Sequence, residues 1–246
     1  MKTALSRRLA AEFTGTAFLV AAIVGSGVMA ERLSGGNVAL ALLANTLATG
    51  AALVALILTF GSISGAHFNP AVTLADAFEG GLTWADAWGY VPVQILGGVA
   101  GTVAAHMMFG LPAVSMSHHT RSGPAQFLSE FVASFGLLSV IWGCSRLRST
   151  TVPFAVAAYI TAAYWFTSST SFANPAVTIA RSLSDTFAGI RPMDVPLFIT
   201  AQLFGALGAT LLFRWLVPGP DREATNVLLA HDSEVTSTDI SESATR

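Results

Sequence analysis

The sequence predicts an all-α membrane protein: six transmembrane helices plus two re-entrant half-helices, arranged as an inverted three-plus-three repeat. Three observations predict it. Of the 246 residues, 53% are hydrophobic and only 11% charged, whereas a soluble domain carries roughly 25% charged residues. Six long stretches carry little or no charge. One polar-headed word is spelled twice, NPAVTLA from Asn69 to Ala75 and NPAVTIA from Asn174 to Ala180.

The uncharged stretches fall at about 9–30, 38–60, 87–109, 125–145, 151–170 and 194–217. Each is close to the ~20 residues that carry a helix across ~30 Å of hydrocarbon. The first follows a basic start and runs to Val28-Met29-Ala30, which imitates a secretory signal. It is long for one, however, and Glu12 sits inside it.

The two halves match in order at three places. Ala11-Glu12-Phe13 answers Ser129-Glu130-Phe131, the NPAVT words answer each other, and Gln94-Ile95-Leu96-Gly97 answers Gln202-Leu203-Phe204-Gly205. This is the mark of an internal duplication with three spans per half. Three is odd, so the second half enters from the opposite side and the repeats are inverted, about an axis in the membrane plane. With both termini cytoplasmic, Lys2, Arg7, Arg8, Arg146, Arg148, Arg214, Arg222 and Arg246 lie inside, and Arg32, Arg121, Arg181 and Arg191 outside. The positive-inside rule favours that orientation. Pro218-Gly219-Pro220 stops the last helix, and the acidic, Ser/Thr-rich residues 218–246 are expected to form a disordered cytoplasmic tail.

A net charge of −2 offers no basic surface, so nucleic acid is not an expected partner. The one cysteine, Cys144, excludes an internal disulfide, and no Cys/His spacing suggests a metal or redox centre. His118-His119 is read as a solvated pair, a metal site being the alternative. No nucleophile, base and orienting acid cluster together, so neither enzymatic chemistry nor a cofactor is expected.

Each NPA word follows an approach rich in small residues, Gly61 to Ala66 and Ser168 to Ala173, and precedes about ten helix-compatible residues. That is a loop running into a half-helix. Asn69 and Asn174 suit the cap, and Pro70 and Pro175 suit the first helical position, where an N–H would have no intrahelical partner. Ten residues rise about 15 Å, half the hydrocarbon thickness. In inverted repeats the two half-helices therefore meet end to end at the midplane. Irregular backbone at that depth must line a cavity. The asparagine amides and the helix dipoles then favour neutral hydrogen-bonding molecules and repel cations, protons included.

At these residues the chain resembles the major intrinsic protein family, the aquaporins and aquaglyceroporins. AEFTGT near the start, SGAHFNPAVT in the first half, the second NPA, and Gln with small residues in the third span of each repeat carry the resemblance over about residues 5–217. It implies an aquaporin-like channel domain over 1–217, with repeats at about 5–110 and 125–217, one pore per protomer and a homotetramer. It implies that Asn69, Pro70 and Ala71 with Asn174, Pro175 and Ala176 form the pore centre, and that the pore backbone includes Gly65, Ala66, His67, Phe172 and Ala173. It also implies that Glu12 and Glu130 grip the re-entrant loops. Without the resemblance, a carboxylate inside a span is a structural acceptor or a proton relay. Gly97 with Gly101 and Gly205 with Ala209 are small-residue pairs suited to close helix crossing.

The chain departs from the family at one position. Where most members place an arginine directly after the second NPA, it has Val177. Counting from the motifs puts the other filter positions at Thr49, Ala162 and Ser171, the last two to within about a residue, all small or modest, which predicts a wide and weakly charged outer constriction. Arg181 and Asp76 follow the two NPA words. They are read either as charges moved to the pore mouths or as solvated charges at half-helix ends.

The function these readings predict is a passive channel in a bacterial inner (plasma) membrane for water and small uncharged solutes such as glycerol-like polyols. Neutral metalloid hydroxides or organoarsenicals follow from the resemblance to arsenic-resistance members with a replaced filter arginine. The expected partners are the solutes, membrane lipid and three further copies of the chain. The alternative is an ion-coupled secondary transporter, which also uses inverted repeats and broken helices. Its only candidate coupling groups are Glu12 and Glu130.

Overall fold

The structure, a computed structural model, describes residues 3–147 and 149–217. The expected tail, 218–246, lies outside the described residues. Helix α1 runs Leu5–Leu33, α2 Val38–Ser64, α3 Pro70–Glu79 and α4 Trp84–Met108. The second half repeats the order with α5 Pro124–Leu147, α6 Val152–Phe166, α7 Pro175–Arg181 and α8 Val195–Leu216. Among the described residues there is no strand.

Local chemistry sets the boundaries. Gly35 and Gly36 take positive φ after α1, and the Asn37 side chain then accepts from Leu40 N–H to open α2. Thr83 caps α4 by accepting from Asp86 N–H, and Asp86 pairs with Arg8 at 3.0 Å. Among the described residues five helices are long and apolar enough to cross a membrane: α1, α2, α4, α5 and α8, the last counted with its leading turn. The sixth span is shorter than expected. Helix α6 has 15 residues and is entered through a three-residue 3-10 turn, Ser149–Thr151. At their usual rises the two together still reach roughly 28 Å.

The largest packing surfaces join α1 to α4 and α5 to α8, the same pair in each half. Glycine makes both crossings possible. A Cβ at Gly97 would strike Phe13 O, one at Gly101 would strike Ala17 O, and one at Gly205 would strike Phe131 O. These obstacles are backbone, which cannot rotate away. Arg8 with Asp86, and Arg146 and Arg214 both with Glu79, gather where α1 begins and α8 ends, which defines a terminal face. Opposite it, on the far face, lie the 109–123 and 182–194 loops.

This crossing supplies a stability test. Gly101→Ala should cost about 3 kcal/mol, the upper end for an overpacked site, because the helices must part. Gly143→Ala should cost little, since its Cβ would meet Phe213 at an ordinary 3.4 Å. Thermal unfolding of the two purified variants, followed by size-exclusion chromatography, separates them. Equal melting temperatures would contradict the close crossing.

Candidate functional site

Each half-helix starts as its cap chemistry dictates. Asn69 and Asn174 have extended backbones, with φ −153° and −157°. The Asn69 Oδ1 accepts from Ala71 N–H, and the Asn174 Oδ1 from Ala176 and Val177 N–H. Pro70 and Pro175 occupy the first helical positions, and Ala71 and Ala176 are fully buried behind them. Their amides do not all point into open space. Asn69 Nδ2 donates to Ala173 O and Asn174 Nδ2 to Phe68 O, each at 2.8 Å. These crossed bonds hold the two half-helix starts against each other. An amide nitrogen has two hydrogens, so each asparagine keeps one donor for the cavity.

The loops leading into the half-helices are strained in matching ways. Gly65, Ala66 and Phe68 in the first, and Thr170, Ser171 and Ala173 in the second, take positive φ, five of the six being non-glycine. Such backbone costs about 1–3 kcal/mol per residue and persists only when its surroundings fix it. Two buried glutamates do so. Glu12 accepts from His67 N–H, Phe68 N–H, Ser64 Oγ and Gln94 Nε2 at 2.6–3.0 Å. Glu130 accepts from Phe172 N–H, Ala173 N–H and Gln202 Nε2 at 2.6–2.9 Å. Gln94 then reaches Thr73 and Gln202 reaches Thr178, so both grips are built alike. With their N–H groups turned to the glutamates, the loop carbonyls are left to face the other way. Neither glutamate lines the cavity between the half-helices.

That cavity, about 60 Å³, is narrow and mostly apolar. Its wall is built from i, i+4 pairs, which share a helix face. They are Leu19 and Ile23 on α1, Leu53 and Ile57 on α2, Leu137 and Ile141 on α5, and Val156 and Ile160 on α6. Polar groups enter only along the re-entrant loops and at the far-face end. Ala66, His67, Asn69, Ser171, Phe172, Ala173 and Asn174 all line it, as do Thr49 and Val177. Gly65 lies just outside the lining, as the left-handed residue that turns α2 into its loop. His67 is fixed by Thr73 Oγ1, 3.1 Å from its Nδ1, and by the Tyr90 ring.

Two site residues, Ala162 and Asp76, lie off the positions expected of them, whereas Arg181 stands on the cavity wall, as the pore-mouth reading expects. Ala162 is exposed on the outer face of α6, and Tyr164 takes its place on the cavity wall, 3.3 Å from Thr49 Oγ1. Two residues turn a helix by about 200°, so a slip of two reverses the face. The stripe Val156, Ile160, Tyr164 would have found it. Asp76 is neither solvated nor part of the cavity wall. It is buried with its carboxylate 3.6 Å from His67 Nε2, against Gly81.

Arg181 is only 2% exposed and lines the cavity. Its guanidinium stacks on Phe172 with Cζ 3.4 Å from the ring centroid, and its Nε donates to Ala188 O. The far-face end of the cavity is therefore not lined by four small residues: Tyr164, Phe172 and Arg181 line it as well. Helix α7 ends at Arg181 after seven residues, not ten, because Ser117 and Ser115 N–H take the Ser182 and Leu183 carbonyls. In the same loops His118 donates its N–H to Asp185, with its imidazole 3.0 Å away. Together these bonds hold the Asp185 carboxyl below the usual range.

Comparison with known proteins matches this arrangement. A family model described as "Major intrinsic protein" matches residues 1–151 and 143–241. The chain is 56% identical over 213 residues to aquaglyceroporin AqpS of Rhizobium meliloti (strain 1021), covering 87% of this chain and 91% of that protein. It is 28% identical over 213 residues to the probable aquaporin NIP7-1 of Arabidopsis thaliana, covering 85% and 76%. The solved aquaglyceroporin of Plasmodium falciparum has the same fold, with a TM-score of 0.66 at 19% identity, over 87% of this chain and 98% of that one.

Proposed function

The chain belongs to the major intrinsic protein family, and from that premise we infer that it is a passive membrane channel for water and glycerol-like solutes. One observation carries the reading: two capped half-helices meet in a narrow cavity whose polar groups come from the re-entrant loops and the far-face end and whose remaining wall is largely aliphatic. A polyol presents the same two aspects, hydroxyls on one edge and a carbon chain on the other. Asn69, Asn174 and the loop carbonyls serve the hydroxyls, and Thr49, Ser171, Val177 and Tyr164 shape the far-face constriction. The engagement of Glu12 and Glu130 with three or four donors each supports a structural role over ion coupling.

Neutral metalloid hydroxides and small organoarsenicals fall within the same class. What supports them is Val177 at the place of an arginine, together with the largely apolar wall. A homotetramer in a bacterial inner membrane, with both termini cytoplasmic, completes the proposal. Its support is the family and the bacterial relative. The channel domain extends over 1–217, and the tail is dispensable for flux.

Stopped-flow swelling of proteoliposomes in glycerol and urea gradients tests the reading. Swelling well above that of empty liposomes is the expected result, and none would refute it. In the same assay, Asn174→Leu or Asn69→Leu should lower glycerol flux by about a hundredfold. Each removes a donor and a cross-repeat bond together and puts a branched side chain into the narrowest track. Normal glycerol flux in either variant would mean that the pore lies elsewhere.

A further inference from the structure

Arg181 has more to do than the reading above requires of it. Its Nη1 is buried without a hydrogen-bond partner, and the buried Ser171 Oγ, also on the cavity wall, has none either. A buried guanidinium nitrogen without an acceptor is costly, and native proteins seldom leave one so. Behind Arg181, Arg121 lies over the same Phe172 ring at 5.0 Å and donates to the Gly189 and Ser169 carbonyls. Neither arginine forms an ion pair with any described residue. Of the two cations on this aromatic platform, only Arg181 lines the cavity, at its far-face end.

We propose that Arg181, reaching in from one turn beyond Val177, is the fixed cation of the far-face constriction and forms with Ser171 a docking subsite for an oxygen acceptor of a passing neutral solute. The inference rests on the channel reading. It assigns selectivity to a residue outside the filter positions counted from the motifs. The guanidinium is held open by the Phe172 stack and the Ala188 bond, so it need not reorganise when solute arrives. A hydroxyl or carbonyl oxygen there completes both orphaned groups, while a cation meets unscreened repulsion.

Urea and guanidinium are nearly the same shape and differ in charge, so their permeability ratio isolates the effect. In proteoliposomes, wild type should pass urea and exclude guanidinium. Arg181→Gln should raise guanidinium permeability relative to urea by about tenfold, the half-helix ends remaining as a second barrier. Arg181→Lys keeps the charge and covers the case in which the glutamine variant does not assemble. An ammonium in so dry a wall can be discharged by alkaline buffer, which a guanidinium cannot. The lysine variant should therefore exclude guanidinium at pH 6 and admit it at pH 10, with the wild type flat between them. Unchanged exclusion in an assembled Arg181→Gln protein, or a flat pH profile in Arg181→Lys, would overturn the inference alone. A wild type closed to urea and glycerol alike would overturn the channel reading and this inference with it.

Discussion

Val177→Arg should reduce glycerol flux at least about tenfold and water flux less than about threefold, because a long side chain with five donors then crosses a constriction that already holds one guanidinium. Val177 is 3% exposed and lines the cavity one turn from Arg181 on the same helix. The added side chain therefore has little choice but to enter the lumen. Water needs only a single-file gap, whereas glycerol needs width as well. Stopped-flow measurement of both fluxes on the same proteoliposomes decides the matter. Equal losses would indicate a plugged or misfolded pore, and an unchanged glycerol flux would mean that Val177 does not border the constriction.

Glu12→Ala should have the larger effect, the loss of the assembled protein. The substitution strips the acceptor from four buried donors: Ser64 Oγ, His67 N–H, Phe68 N–H and Gln94 Nε2. At about 1–3 kcal/mol for each buried group left unpaired, the sum rivals the ~5–15 kcal/mol that holds a typical domain together. Glu12→Gln is an informative companion. Oε1 accepts from Ser64 and His67, and Oε2 from Phe68 and Gln94. An amide nitrogen in either place must face two donors. The glutamine variant should fold with a lowered melting temperature and reduced flux, and the alanine variant should elute as aggregate in size-exclusion chromatography. Normal melting of Glu12→Ala would show that the first re-entrant loop holds its left-handed residues by other means.

Most of this architecture was legible in the sequence because it is written twice. Glu12 and Glu130, Gln94 and Gln202, and the two NPA words could be paired by order alone, and the structure joins each set by hydrogen bonds. The small residues Gly97, Gly101 and Gly205 were legible for a similar reason, since close crossing leaves room for nothing else.

What could not be read depended on phase or on long-range partners. Counting from a motif to α6 passes through a loop that carries no helical phase, so Ala162 was placed where Tyr164 stands. The conformation of Arg181 depends on Ala188 O and the Phe172 ring, one in an irregular loop and the other across the re-entrant segment. No periodicity announces either. Asp76 likewise owes its burial to His67 and Gly81, which come together only once the first loop has folded back. The crossed bonds from Asn69 and Asn174 join residues more than a hundred positions apart, and only the inverted packing makes them neighbours.

Solute should move through this protein down its own gradient and with no other driving force. Equilibration of labelled glycerol in proteoliposomes, with a proton or sodium gradient imposed in either direction, tests it most directly. Internal and external glycerol should reach the same concentration at the same rate whichever gradient is applied, and dissipating the gradient should change nothing. Accumulation of glycerol above equality, or flux that stops when the ion gradient is collapsed, would contradict it and establish a coupled transporter.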